Sequence, residues 1–287
     1  MHLARVRLDS NRVALAVLLE PGRLLVLDGP ENVSDDPIAT LQALGAERLG
    51  EIVQAKSAEP SAVFLDEETA EFDVPVPHPQ KIICLALNYA DHAMEGNLTT
   101  PEYPVIFFKP PSSLLAHRAT VRNPARSSRL DYELELAVVI GARACKVEAA
   151  NWESVVSGYM VFNDVTARDL QMTSIQRNES WDHSKGFDTF GPCGPYLVTK
   201  NEIDDPMNLD LSLHVDGELR QSSNTRHMVF GIPKLIEWIS DGITLEPGDI
   251  IATGTPSGIG PVEPGQTMKA SIEGLGTLVN TVTFEGR

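Results

Sequence analysis

The pattern of apolar and polar positions divides the chain into many short strands and few helices. "LARVRLD", "RVALAVLL" and "RLLVLDG" read as strands separated by Asp-Ser-Asn and Pro-Gly turns. "DPIATLQALGAERLGEIVQ" then carries Ile38, Leu41, Leu44 and Leu49 at helical spacing. An acidic connector with several prolines follows, so residues 1–75 read as a small N-terminal α/β unit and residues 76–287 as a larger one. Beyond the boundary, "KIICLALN" begins as a buried strand and leaves its core at Asn88. "YPVIFFKP", "DYELELAVVIG", "GYMVFNDVT", "LDLSLHVDGE", "GDIIATG" and "TLVNTVTF" continue the strand pattern. Two segments read as helices: "NWESVVSGY", and "IPKLIEWISDG" with Ile232, Leu235, Ile236 and Ile239 as a core-facing stripe after Pro233. Strands without regular helix alternation argue against a doubly wound sheet. The fold class expected is α+β, predominantly β and mostly antiparallel.

Composition narrows the function classes. With 287 residues, 42% hydrophobic and 22% charged, the chain is an ordinary globular protein. A formal net charge of -17 disfavours nucleic acid, whose phosphates need a basic patch. Cys84, Cys145 and Cys193 form no CxxC pair and suggest reduced thiols in a cytoplasmic compartment. The start lacks the uninterrupted apolar core of a signal peptide, and no apolar run is long enough to cross a bilayer. The expectation is a cytoplasmic protein with neither nucleic-acid nor membrane partners.

Candidate chemistry begins at "DYELELAVVIG". On a strand, Asp131, Glu133 and Glu135 project to one side and Tyr132, Leu134 and Leu136 to the other. The acidic side is either solvated or the seat of a hard divalent cation. Asp164, at the end of the apolar strand "GYMVFND", either caps the next turn or adds a third oxygen ligand to Glu133 and Glu135. In "NYADHAMEG", His92 and Glu95 face each other if the segment is helical, as a carboxylate-supported general base or as a surface pair. Gly96 and Asn97 end that segment, which could then serve as a mobile lid. Lys185 and Lys109 could neutralise a substrate carboxylate or stand as solvated surface charges. "GDIIATGTPSGIGP" offers N–H groups and hydroxyls that suit a carboxylate, but it is neither a Walker A loop nor a dinucleotide fingerprint. No Gly-x-Ser-x-Gly elbow is present.

The order of these motifs is more specific than any one of them. "NYADHAMEG", "PVIFFKPPSS", "DYELELAVVIG", "FNDVTARDLQ", "SKGFDTFGPCGP", "VDGELRQ" and "GDIIATGTPSGIGP", spread over residues 80–283, resemble the successive motifs of the fumarylacetoacetate hydrolase family. The resemblance implies a mixed β-roll in a homodimer, with Mg²⁺ or Mn²⁺ held at Glu133, Glu135 and Asp164 and Asp131 outside the ligand set. It implies a catalytic dyad of His92 and Glu95 with Lys185 beside it, and a pocket lined by Arg168, Gln171 and Thr255. The activity implied is hydrolysis of a carbon–carbon bond in a 2,4-diketo acid (an acylpyruvate), with pyruvate released from this small 2-oxo acid substrate. Decarboxylation of oxaloacetate, or isomerase or lyase chemistry on a related 2-oxo acid, is the alternative.

Overall fold

The structure is a computed structural model that describes residues 1–95 and 99–286. Gly96 and Asn97, expected to end a lid, lie outside the described residues.

The expected strands of the first unit form at His2–Asp9, Arg12–Glu20 and Arg23–Val26. They are the start of an 11-stranded sheet rather than a sheet of their own. His2–Asp9 pairs on its far side with Leu197–Thr199, through Leu3 opposite Leu197. From there the order runs Val156–Asn163, Leu134–Ile140, Ile250–Ala252, Ile82–Ala86 and Val105–Lys109. Hydrogen bonds therefore cross the sequence boundary at residue 75 within one sheet. The helix Pro37–Ser57 forms as its spacing predicts, capped by the Asp36 carboxylate, and breaks its own path at Gly45, where φ is 73°. Its Ile38, Leu49 and Val53 share one core with Ile82, Cys84, Ala137, Val139 and Ala252 of the large sheet.

The opposite face carries the second core. Leu134, Leu136, Val138 and Ile140 pack there with Leu211, Leu213, Met268, Ala270, Leu278 and Val282. Those partners belong to a five-stranded sheet ordered Glu218–Asn224, Asp210–Val215, Thr267–Ile272, Gly276–Phe284 and Thr120–Asn123. Ile232–Gly242 is a helix with its expected stripe buried in this core. The pairings are mostly antiparallel, with parallel exceptions such as Ile250–Ala252 beside Ile82–Ala86. The mixed, strand-dominated architecture agrees with the fold class read from the sequence.

Two elements differ from expectation. "NWESVVSGY" is not one helix: Ala149–Val155 is a 3₁₀ segment, and from Val156 the chain is strand, because Gly158 and Tyr159 pair with Thr199 and Val198. A Cβ at Gly158 would meet the Val198 carbonyl at 2.1 Å, so only glycine admits that neighbour. "DYELELAVVIG" is not one strand either. Leu130–Tyr132 belongs to a three-stranded sheet and Leu134–Ile140 to the large one, with the change of sheet at Glu133.

Candidate active site

The change of sheet sets the geometry of the acidic cluster. At Glu133 the N–H donates to the Asn163 side-chain carbonyl at 2.9 Å, and the C=O accepts from Asp164 N–H at 2.8 Å. Glu133 and Asp164 are thus locked side by side at the ends of neighbouring strands. Glu135 follows on the same face and accepts the Gly254 N–H at 2.8 Å. One carboxylate oxygen from each of Glu133, Glu135 and Asp164 lies within 4.8 Å of the others, and all three side chains are buried. The solvated-face reading is excluded, as is a capping role for Asp164: the helix Arg168–Gln176 has no side-chain cap.

Buried like charges need compensation. Lys185, expected by default on the surface, is 2% exposed; its ammonium donates to Glu133 at 2.8 Å and to Asp164 at 2.5 Å. Lys109 is equally buried, donating to Asp164 at 2.6 Å and to the Lys185 carbonyl, so neither lysine is a surface charge. Arg168 donates to Asp131 at 2.8 Å and also to Glu133 and Gln171. Asp131 is fully buried, held also by Arg129 at 2.8 Å. It therefore aims Arg168 at Glu133 and stays outside the converging trio.

The compensation is uneven. Burial alone would raise the Glu133 carboxyl, but Lys185 and Arg168 outweigh it and hold it below the usual carboxylate range. Burial lowers the Lys185 ammonium, yet Asp164 and Glu133 bring it above its ordinary value. Among the described residues Glu135 has a backbone N–H and no ion-pair partner, so burial, followed by repulsion from Asp164 and Glu133, outweighs Lys185 and pushes its carboxyl well up. The Tyr89 hydroxyl, raised by burial and by Glu135, is buried with no hydrogen-bond partner among the described residues. Three converging carboxylates, one of them without an ion-pair partner among the described residues, form an oxygen donor set that fits Mg²⁺ or Mn²⁺. In the absence of a cation the cluster carries that electrostatic cost itself.

His92 lies on the short helix Ala90–Glu95, within electrostatic range of Glu133. Its Nδ1 is 3.5 Å from Glu95, a long contact on the exposed side of the helix. Asn88 fixes the path into this helix, bonding the Thr253 carbonyl at 2.7 Å and the Phe230 backbone N–H at 2.8 Å. The glycine loop after Ile250–Ala252, expected to offer its N–H groups to an anion, gives them to the chain's own carboxylates. Gly254 binds Glu135, Ser257 binds Asp91 at 2.8 Å through its hydroxyl, and Gly258 binds Glu95 at 3.2 Å. Thr255 and Gln171 are buried near this loop and near Arg168 respectively.

The sequence reading missed Asn163, Asn88 and Gln221. Gln221 hides because the register of Glu218–Asn224 slips at Arg220: Leu213 pairs with Gln221 and His214 with Leu219. The slip leaves Leu219 exposed and Gln221 buried, the reverse of what polarity alone suggests.

Comparison with known proteins agrees with this geometry. The sequence profile described as fumarylacetoacetate (FAA) hydrolase C-terminal matches residues 81–283. An uncharacterized protein from Pyrococcus abyssi is 50% identical over 207 residues, 72% of this chain and 92% of that one. A solved structure of 2-hydroxyhepta-2,4-diene-1,7-dioate isomerase from Mycobacterium marinum is 33% identical, covers 100% of both chains and superposes with a TM-score of 0.79. Fumarylpyruvate hydrolase from Pseudomonas aeruginosa, solved in complex with Mn²⁺ and pyruvate, is 34% identical over 72% of this chain and 91% of its own, with a TM-score of 0.69. With most of its length under the family profile and the acidic cluster, histidine helix and glycine loop inside the matched span, the chain belongs to the fumarylacetoacetate hydrolase family.

Proposed function

We propose that the protein hydrolyses the carbon–carbon bond of a 2,4-diketo acid, an acylpyruvate, releasing pyruvate and a carboxylic acid. The observation that carries the reading is the buried trio Glu133, Glu135 and Asp164, with His92 within electrostatic range of Glu133. Of four buried acids, Asp131, Glu133 and Asp164 pair with the cations Arg129, Arg168, Lys109 and Lys185, and Glu135 lies beside them without an ion pair among the described residues. A divalent ion added to that balance leaves positive charge that an anionic 2-oxo acid matches. Mn²⁺ and pyruvate in the Pseudomonas aeruginosa hydrolase support the same assignment.

Glu133, Glu135 and Asp164 would hold Mg²⁺ or Mn²⁺, which when bound supplies Lewis-acid stabilisation of negative charge on the substrate oxygens. His92, oriented by Glu95, takes a proton from water as its oxygen attacks the C4 carbonyl. The C3–C4 bond then breaks, its electron pair leaving with the pyruvate half, which takes a proton at C3. Lys185, kept protonated by its two carboxylates, presents a fixed positive charge, while Arg168, Gln171 and Thr255 orient the acid. Similarity to an isomerase along the whole chain favours a second reading, isomerisation of an unsaturated 2-hydroxy or 2-oxo acid, which needs no attacking water. Oxaloacetate decarboxylation is a third outcome of the same assay.

The test is a substrate panel of acylpyruvates, oxaloacetate and 2-hydroxydienoates with Mg²⁺ or Mn²⁺, for wild type and His92→Ala. Acylpyruvate hydrolysis that falls about 10²–10⁴-fold in His92→Ala supports the proposal. Turnover of dienoates or oxaloacetate alone, or hydrolysis unaffected by His92→Ala, overturns it.

A further inference from the structure

Gln221 is fully buried and touches both halves of the site. Its side-chain oxygen accepts the Leu134 N–H at 3.0 Å, between Glu133 and Glu135. Its nitrogen donates to the Pro256 carbonyl at 3.0 Å and to the Thr255 hydroxyl oxygen at 2.7 Å. A backbone N–H can only donate and a carbonyl can only accept, so the amide has one permitted orientation. The NH₂ group therefore faces Thr255, whose Oγ acts as acceptor. A hydroxyl that accepts from one neighbour still has its own proton to give. Thr255 is 3% exposed, and no acceptor for that proton is present among the described residues. The next residue back, Gly254, binds Glu135, so the unspent proton belongs to the same small region as the carboxylate trio.

We propose that Gln221 is a positioning residue that fixes the Thr255 hydroxyl as a hydrogen-bond donor to the carboxylate of the bound 2-oxo acid. The proposal rests on the functional reading above and adds what sets the polarity of one contact. A threonine hydroxyl can present either its proton or a lone pair. An anion accepts only the first, and Gln221 removes the choice. The slip in register at Arg220 is what turns Gln221 inward to do so.

The experiment is calorimetric titration of oxalate, a probe of the 2-oxo acid end, into the Mg²⁺-loaded protein. Wild type, Gln221→Glu, Thr255→Val and the double variant are compared, with metal content measured in each. Gln221→Glu keeps an acceptor for Leu134 but offers Thr255 a second acceptor, which turns the hydroxyl proton away from the ligand. Each single variant is expected to weaken oxalate by about tenfold or more, with metal retained. In the Thr255→Val background, Gln221→Glu should change affinity by less than about twofold. Unchanged oxalate affinity in Gln221→Glu overturns the proposal, as does a full tenfold effect that persists without the Thr255 hydroxyl. Metal lost from Gln221→Glu but kept in Thr255→Val overturns it as well. If Gln221→Glu does not fold, Gln221→Met, which only releases the Thr255 hydroxyl, completes the cycle: oxalate should weaken in the single variant and change by less than about twofold in the Thr255→Val background, and equal weakening in both backgrounds overturns the proposal. Wild-type protein that takes up Mg²⁺ but no oxalate overturns the 2-oxo acid reading, and this proposal with it, whereas wild-type binding with an additive cycle overturns this proposal alone.

Discussion

Replacing Glu135 by glutamine should stabilise the metal-free protein. One of its carboxylate oxygens lies within 4.8 Å of oxygens of Glu133 and Asp164, and its one hydrogen-bond partner among the described residues is a backbone N–H. Two unit charges at that separation repel by about 3.5 kcal/mol at an effective dielectric of about 20. Lys109 and Lys185 offset part of this through the other two acids. The folded protein can instead keep Glu135 protonated. That alternative costs about 1.4 kcal/mol for every pH unit above the ordinary carboxyl value of 4.5, about 3 kcal/mol at neutral pH, which caps the penalty. The sign follows from the raised folded-state value. Below pH 4.5 both states hold the proton and Glu135 contributes nothing. As pH rises, the unfolded chain releases the proton first and stability is lost. Glutamine needs no proton, its carbonyl still accepts from Gly254, and its NH₂ can donate to Glu133 or Asp164. Urea denaturation in EDTA should therefore show Glu135→Gln equal to wild type near pH 4.5 and more stable near pH 7, by at most about 3 kcal/mol. Mn²⁺ at about 1,000 times its dissociation constant should reverse the order, because it adds about 4.1 kcal/mol to wild type and little to the variant. A variant less stable than wild type in EDTA near neutral pH, or one that gains as much from Mn²⁺, would refute the reasoning.

Lys109→Met removes a buried cation from Asp164 and leaves the Lys185 and Val165 carbonyls without their donor, so unfolding in EDTA should show a loss of about 3–5 kcal/mol. Gly258→Ala puts a Cβ 2.2 Å from the Arg220 carbonyl at φ 95°, and should cost at least about 2 kcal/mol by thermal unfolding. Gly22→Ala, at φ 86° with open space around it, should cost about 1 kcal/mol. Burial, followed by repulsion from Arg118, holds His117 down at about 4 against an ordinary 6.5, so the folded state refuses a proton that the unfolded chain accepts. Stability should fall by up to about 3 kcal/mol as pH drops from 6.5 to 4, and a pH series of denaturation curves on His117→Gln should lack that component.

The local pattern in the sequence determined most of the strands and the longer helices, because periodicity reports burial on one face or both. Ile232–Gly242 and the first three strands formed where their spacing placed them. The motif order determined the family, and residue type determined that Glu133, Glu135 and Asp164 would suit a hard cation. Tertiary structure decided what a periodic pattern cannot carry. Only pairing across the fold shows that the strand breaks at Glu133, since the break comes from Leu130–Tyr132 and Leu134–Ile140 choosing different partners. Only packing shows that Lys109 and Lys185 are buried, because a lysine reads as surface until carboxylates from other segments, here Glu133 and Asp164, close on it. The sheet that joins His2–Asp9 to Leu197–Thr199 spans nearly two hundred residues of separation, beyond any local signal. Gln221 faces inward through a one-residue slip in register, and a slip inverts the faces of a strand while leaving its sequence unchanged.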